Sequence, residues 1–237
     1  MNKPDFGNTA GHSANAANVQ LSAAEMALVQ DAEMILTKNS ILGKVVELMA
    51  GLAGEYRGLL ADSCKLIADR EEGKADSYKL IAEIERLGPK ISRGENYKGL
   101  PYVVLDYPRV FGREDVLAVR TMFWWGHYFS VTLHLKGRYQ ELFMPVIRER
   151  LGMLGAAGWH IGESDEEWRH EVEPGNYRSL AAGQGDAVRS DGETDRLLSG
   201  RPFLKLSATC PLDKWEDAAV ILQGQYRMLL GLVAGSL

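Results

Sequence analysis

The chain reads as an α+β protein, with an N-terminal helical region followed by an antiparallel sheet backed by two helices. Three observations lead there. Apolar residues recur at alternating steps of three and four between residues 41 and 69, the period of a helix with a buried seam. From residue 100 the period falls to two, in short runs of β-branched and aromatic residues bounded by glycine and proline. The runs follow one another without regular helical crossovers, which favours hairpins over a parallel sheet.

Residues 1–20 are rich in Asn, Gly, Ala and Ser and carry few large apolar groups, so a disordered N-terminal segment is expected. The helical region spans 21–89. Ser22 and Glu25 form a capping box that opens a first helix running to about Thr37, and Asn39 or Ser40 can cap the next. That second helix, 41–69, carries Leu42, Val45, Met49, Leu52, Tyr56, Leu59, Ser63 and Leu66 on a heptad-like seam. A third, from about Asp76 to Leu87, ends at Gly88-Pro89, because glycine suits the residue after a helix and proline cannot continue one. Whether these helices pack on the sheet or project as an arm is open.

The sheet domain spans 97–237. "YVVLDY" predicts a strand at 102–107, and "LAVRTMFWW" with "YFSVTLHL" predicts a hairpin. A helix follows over Arg138–Leu154, with Pro145 expected to kink it or mark a late start. "GWHIGES" and "EEWRHEVE" predict two short strands. Pro174–Gly200 predicts a long loop with a short helix near Thr194–Ser199, and "PFLKLSATC" another strand. Asp213 and Glu216 form a second capping box before the last helix, which runs to about Val233.

The hairpin's register decides what its faces hold, because a shift of one residue sends every side chain to the other side. A two-residue turn at Gly126-His127 would bury Arg120 among apolar groups. A three-residue loop, Trp125-Gly126-His127, separates the faces far better. It puts Val119, Thr121, Phe123, Phe129, Val131, Leu133 and Leu135 on one side. Arg120, Met122, Trp124, Tyr128, Ser130, Thr132 and His134 fall on the other. That polar face is the candidate ligand site. Arg120 can hold a carboxylate or phosphate bidentately, His134 and the Ser130 and Thr132 hydroxyls can complete a cradle, and Trp124 and Tyr128 supply rings. Lys205 joins if its strand lies in the same sheet. The competing expectation is a covered face in which the N-terminal helices close over an Arg120 paired to an internal acid.

The chain has 237 residues, 46% of them hydrophobic and 25% charged, the balance of a globular protein with a sizeable core. A net charge of −5 argues against a broad nucleic-acid surface, although Lys90, Arg93, Lys98, Arg109 and Arg113 cluster at the start of the sheet. The two cysteines, Cys64 and Cys210, form no redox or zinc motif. His160 and His170 lie near several acids but in no metal-ligand spacing, His12 sits in the expected disordered start, and neither a metal nor a cofactor is expected. No nucleophile elbow, P-loop or dinucleotide fingerprint occurs, so no catalytic residue can be named. No signal peptide or spanning run is seen, which makes the cytoplasm the expected location.

The segments "YVVLDYPRVF", "RTMFWWGHYFSVTLHLKG" and "RPFLKLSATCPLDKW" are similar to those of a set of bacterial proteins of unknown function, over residues 97–235. That resemblance implies no activity, cofactor or site residue. Two functional readings follow from the residues alone. One is a non-enzymatic cytoplasmic interaction protein, a homo-oligomer assembled as a dimer through the heptad helix or the last helix. The alternative is a protein binding a small anionic ligand, or an enzyme acting on one, at the Arg120/Tyr128/His134 face.

Overall fold

The computed structural model describes residues 20–68, 75–181, 198 and 200–234. Apart from Gln20 and Leu198, the expected disordered stretch and the short helix near Thr194–Ser199 lie outside the described residues. The chain divides into two compact units, Met1–Ile41 and Leu42–Leu237.

The first unit holds helix α1 (Ala23–Gln30) and the start of helix α2 (Ala32–Ala68). Ser22 and Glu25 make the expected capping box. The helix break falls earlier than expected, at Asp31 rather than at Asn39 or Ser40. The Asp31 carboxylate accepts a hydrogen bond from the Met34 amide at 3.2 Å and so starts α2 itself. With its first turn satisfied, α2 runs straight through Asn39 and Ser40.

In the second unit the α2 seam is buried: Leu42, Val45, Met49, Leu52, Tyr56 and Leu60 join one core with the sheet. Tyr56 stacks on Tyr226 at 3.6 Å and hydrogen-bonds to Thr121 Oγ1 at 3.1 Å. Helix α3 (Ala75–Leu87) adds Leu80 and Ile84 to the same core. Seven strands follow: β1 (Lys90–Tyr97), β2 (Leu100–Phe111), β3 (Val116–Trp124), β4 (Tyr128–Lys136), β5 (His160–Gly162), β6 (Tyr177–Ser179) and β7 (Phe203–Pro211). They form one antiparallel sheet in the order β1-β2-β3-β4-β7-β5-β6. Helix α4 (Arg138–Ala156) connects β4 to β5. A 3-10 turn (Leu212–Asp217) leads from β7 into the last helix, α5 (Ala218–Ala234). The fold is α+β, and the helices of this unit back one face of the sheet. No helix among the described residues is long and apolar enough to cross a membrane.

Several local expectations are corrected, and strand β6 lies inside Pro174–Gly200, the stretch expected to be a long loop, where it pairs with β5. Strand β1 was not foreseen, because "KISRGENY" is a polar edge strand with no apolar alternation. "EEWRHEVE" forms no strand; its backbone groups bond to side chains of the sheet. Asp213 caps no α-helix: the chain makes a 3-10 turn with no side-chain cap, and α5 begins at Ala218. Pro145 lies inside α4, which continues through it.

Candidate functional site

Trp124 pairs with Tyr128, so the hairpin loop is Trp125-Gly126-His127 and the polar row shares one face. Strand β7 lies beside β4 with Lys205 opposite His134 and Ser207 opposite Thr132. On the other flank, Asp106 of β2 faces Arg120 and Val104 faces Met122. The helices cover the apolar face, so the polar face is left to another element. Residues 163–176, between β5 and β6, lie across its β4–β7 half as a strap.

The strap is fastened by side chains. Lys205 Nζ donates to the carbonyls of Glu167 at 3.2 Å and Arg169 at 2.7 Å. The Tyr97 hydroxyl accepts from the His170 amide at 2.8 Å, and the Tyr128 hydroxyl from the Val172 amide at 2.6 Å. Glu171 is wholly buried and takes hydrogen bonds from Tyr97, Lys98 and Arg169. Glu167 sits 3.2 Å from His134 Nε2 and 3.0 Å from Lys136. Pairing these charges is what makes their burial tolerable.

Electrostatics follow from the burial. His134 is pushed down to about 4, by desolvation first, against the pull of Glu167. His170 is pushed down to about 3, by desolvation and then by the Arg120 guanidinium. Both rings are neutral at ordinary pH. Lys205 falls to about 8 through burial and keeps its proton at neutral pH. Burial alone would raise Glu171, but its hydrogen bonds outweigh that and hold it at about 2.

The strap leaves the β1–β2–β3 half of the face open as a cleft of about 590 Å³. Its floor is Val104, Met122 and the Asp106–Arg120 pair. That pair is bidentate, at 2.8 and 2.9 Å, and Arg120 Nη1 lies 2.8 Å from His170 Nε2. Three of the five guanidinium N–H groups are thereby committed. Tyr97, Tyr102, Phe111 and Trp168 supply aromatic walls, and Lys90 and Arg109 add positive charge. Among the described residues that line it, Asp106 alone is acidic.

A β-bulge puts two of these residues there. Asp106 pairs with Arg120, but Arg109 pairs with Ala118, so β2 holds one residue more than β3 across that step. The cis Tyr107–Pro108 peptide lies in the irregularity. One extra residue flips parity. Arg109 and Phe111 would otherwise point to the helix side with Val103 and Leu105; instead they join Asp106 on the cleft side. Arg109 also donates to the carbonyls of Leu87 and Gly88 at 2.6 and 2.8 Å, which fixes its guanidinium at the rim.

Of the seven residues predicted as a ligand site, Arg120 lines the cleft. Tyr128 and Lys205 hold the strap, and His134 lies beneath it. Thr132 bonds to Ser207 at 2.8 Å, and Ser130 is buried beside them. Trp124 is buried, stacked on His127 at 3.5 Å. Sequence reading missed Lys90, Arg109, Phe111, Trp168 and His170 as lining residues. The "YP" dipeptide inside a strand run was the available signal, since proline within a sheet marks an edge or a bulge. No group of His, Cys, Asp or Glu able to hold a metal ion occurs among the described residues. No family model, curated protein or solved structure matches the chain.

Proposed function

We propose that the protein binds a small organic anion with an aromatic or apolar body, in the cleft over β1, β2 and β3. The observation that carries this reading is the composition of the lining. Lys90, Arg109 and Arg120 face a single carboxylate, above an apolar floor and between four aromatic side chains. A volume of about 590 Å³ is within the range of small-molecule sites. A carboxylate or sulfonate would meet the cations while its body stacked on Trp168 and Phe111, whose ring centroids are 6.1 Å apart.

Binding fits these residues better than catalysis. His170, the cleft's only histidine among the described residues, is too weak a base at neutral pH. Both Asp106 oxygens are taken by Arg120. The expected test is thermal shift with a panel of aryl carboxylates, including benzoate and indole-3-acetate. Several should raise Tm in a saturable way. Lys90→Glu, at an exposed position, should abolish the shift without lowering the Tm of the free protein. No shift with any member, or shifts that survive Lys90→Glu, would remove the basis for this reading.

A further inference from the structure

The cleft has an order along the strands. Lys90 of β1, Asp106 of β2 and Arg120 of β3 stand in one cross-strand row, with His170 of the strap on Arg120. Two residues on toward the β1–β2 turn, Ser92, Val104 and Met122 form the next row. Two further on, Gly94, Tyr102 and Trp124 form the third. Val104, Met122 and Trp124 make a hydrophobic cluster of their own, separate from the helix-side core, with Tyr97 and Tyr102 packed against it. In the opposite direction Arg109 and then Phe111 follow past the bulge, and Trp168 meets Phe111 there. Charge therefore lies in the middle of the cleft, with an apolar end on either side. The two ends are unequally far. A strand advances about 3.3 Å per residue, so Phe111 lies about 7 Å beyond Arg109 and Tyr102 about 13 Å beyond Asp106.

The far end is closed by Tyr102. Its ring lies across β1 at Gly94, where a Cβ would stand 2.5 Å from it, so the missing side chain leaves room for the ring. Tyr97 borders Tyr102 edge-on at 6.0 Å and is itself held by Glu171 and the His170 amide. We infer that the ligand carries its carboxylate between two unlike arms: a short aryl arm on Phe111 and Trp168, and a longer apolar chain along Val104 and Met122 that ends at Tyr102. The inference rests on the reading of the cleft as an anion site. An anion charged at one terminus fills only one of the two ends. At about 1.3 Å of advance per bond, a chain of about ten atoms spans the long run. An N-acylated aromatic amino acid has this layout, with the ring one carbon from the branch and the acyl chain on the amide.

The test is calorimetric titration of the full chain with N-acetyl-phenylalanine, N-octanoyl-phenylalanine and octanoate. N-octanoyl-phenylalanine should bind at least ~30-fold more tightly than N-acetyl-phenylalanine, the gain from burying about half the surface of six added methylenes. Gly94→Ala puts a methyl where the Tyr102 ring lies. With Trp124 on its other flank, the ring must rise into the end of the long run. The octanoyl gain should then fall at least ~10-fold while N-acetyl-phenylalanine binds as before. Phe111→Ala, at an exposed position, should weaken both phenylalanine compounds alike, by about 10-fold, and leave octanoate unchanged. No octanoyl gain, a gain untouched by Gly94→Ala, or a loss of octanoate binding in Phe111→Ala would overturn the two-armed ligand and leave the anion site standing. No binding of any of the three compounds would remove the anion site itself, and the inference with it.

Discussion

Glu171→Gln should loosen the strap that walls the cleft. The carboxylate has no solvent exposure and is held by Tyr97, by Lys98 at 2.9 Å and by Arg169 at 2.6 Å. These bonds overcome desolvation and hold its pKa at about 2. Against an ordinary value near 4.3, at about 1.4 kcal/mol per unit, the charged form contributes about 3 kcal/mol at neutral pH. A neutral amide forfeits that. If strap and sheet unfold together, Tm should drop by about 6–12 °C in a chain of this size. If the strap opens alone, exchange of the His170 and Val172 amides should rise about 100-fold while β3 and β4 stay protected. The pH dependence is diagnostic. A carboxyl with a lowered folded pKa stabilises fully above its unfolded pKa and loses the effect as pH falls through the folded one. The gap between wild type and variant should therefore be complete at pH 7 and shrink to roughly half near pH 3. Equal Tm and equal amide protection at pH 7, or a gap that does not narrow in acid, would refute the reasoning.

His134, which is buried, and His170, which is half-buried, set a separate acid window. Their folded values, about 4 for His134 and about 3 for His170, lie below the ordinary 6.5, so the unfolded chain takes up protons first. Stability measured by denaturant titration should fall as pH drops from 6.5 toward 4, with uptake of up to two protons, and His170→Gln should reduce that slope; a flat profile would contradict the neutral rings. In the helix-side core, Tyr56→Phe keeps the stack on Tyr226 but removes hydrogen bonds to Thr121 and to the Leu222 carbonyl. It should cost about 1–2 kcal/mol in unfolding free energy. An unchanged denaturation midpoint would show that the hydroxyl contributes nothing there.

The sheet's centre was legible because polarity there is strict. Only the three-residue loop sorts Arg120 to His134 into one polar row, and the structure has that register. The capping box at Ser22 and Glu25 was equally local and equally readable. What escaped depends on partners distant in sequence. Strand β1 offers almost no apolar alternation, and its turn at Lys98-Gly99, both at positive φ, lacks the Asn-Gly or Asp-Gly pair that announces such hairpins. Residues 166–173 alternate like a strand, but Lys205, Tyr97 and Tyr128 satisfy their backbone groups in place of a neighbouring ladder. The cleft was invisible for the same reason. It needs the β2 bulge to turn Arg109 and Phe111, and the strap to bring Trp168 and His170 from about fifty residues away along the chain to the floor set by Arg120.

The most direct test of the cleft as a binding site is a titration of the protein with indole-3-acetate, followed by NMR at the Met122 methyl and the Trp168 indole N–H. These two probes sit on the floor and the wall. Saturable shifts at both, with one dissociation constant and with Tyr56 and Tyr226 on the helix side undisturbed, are the predicted result. Silent probes at saturating ligand, or shifts spread evenly over both faces of the sheet, would contradict it.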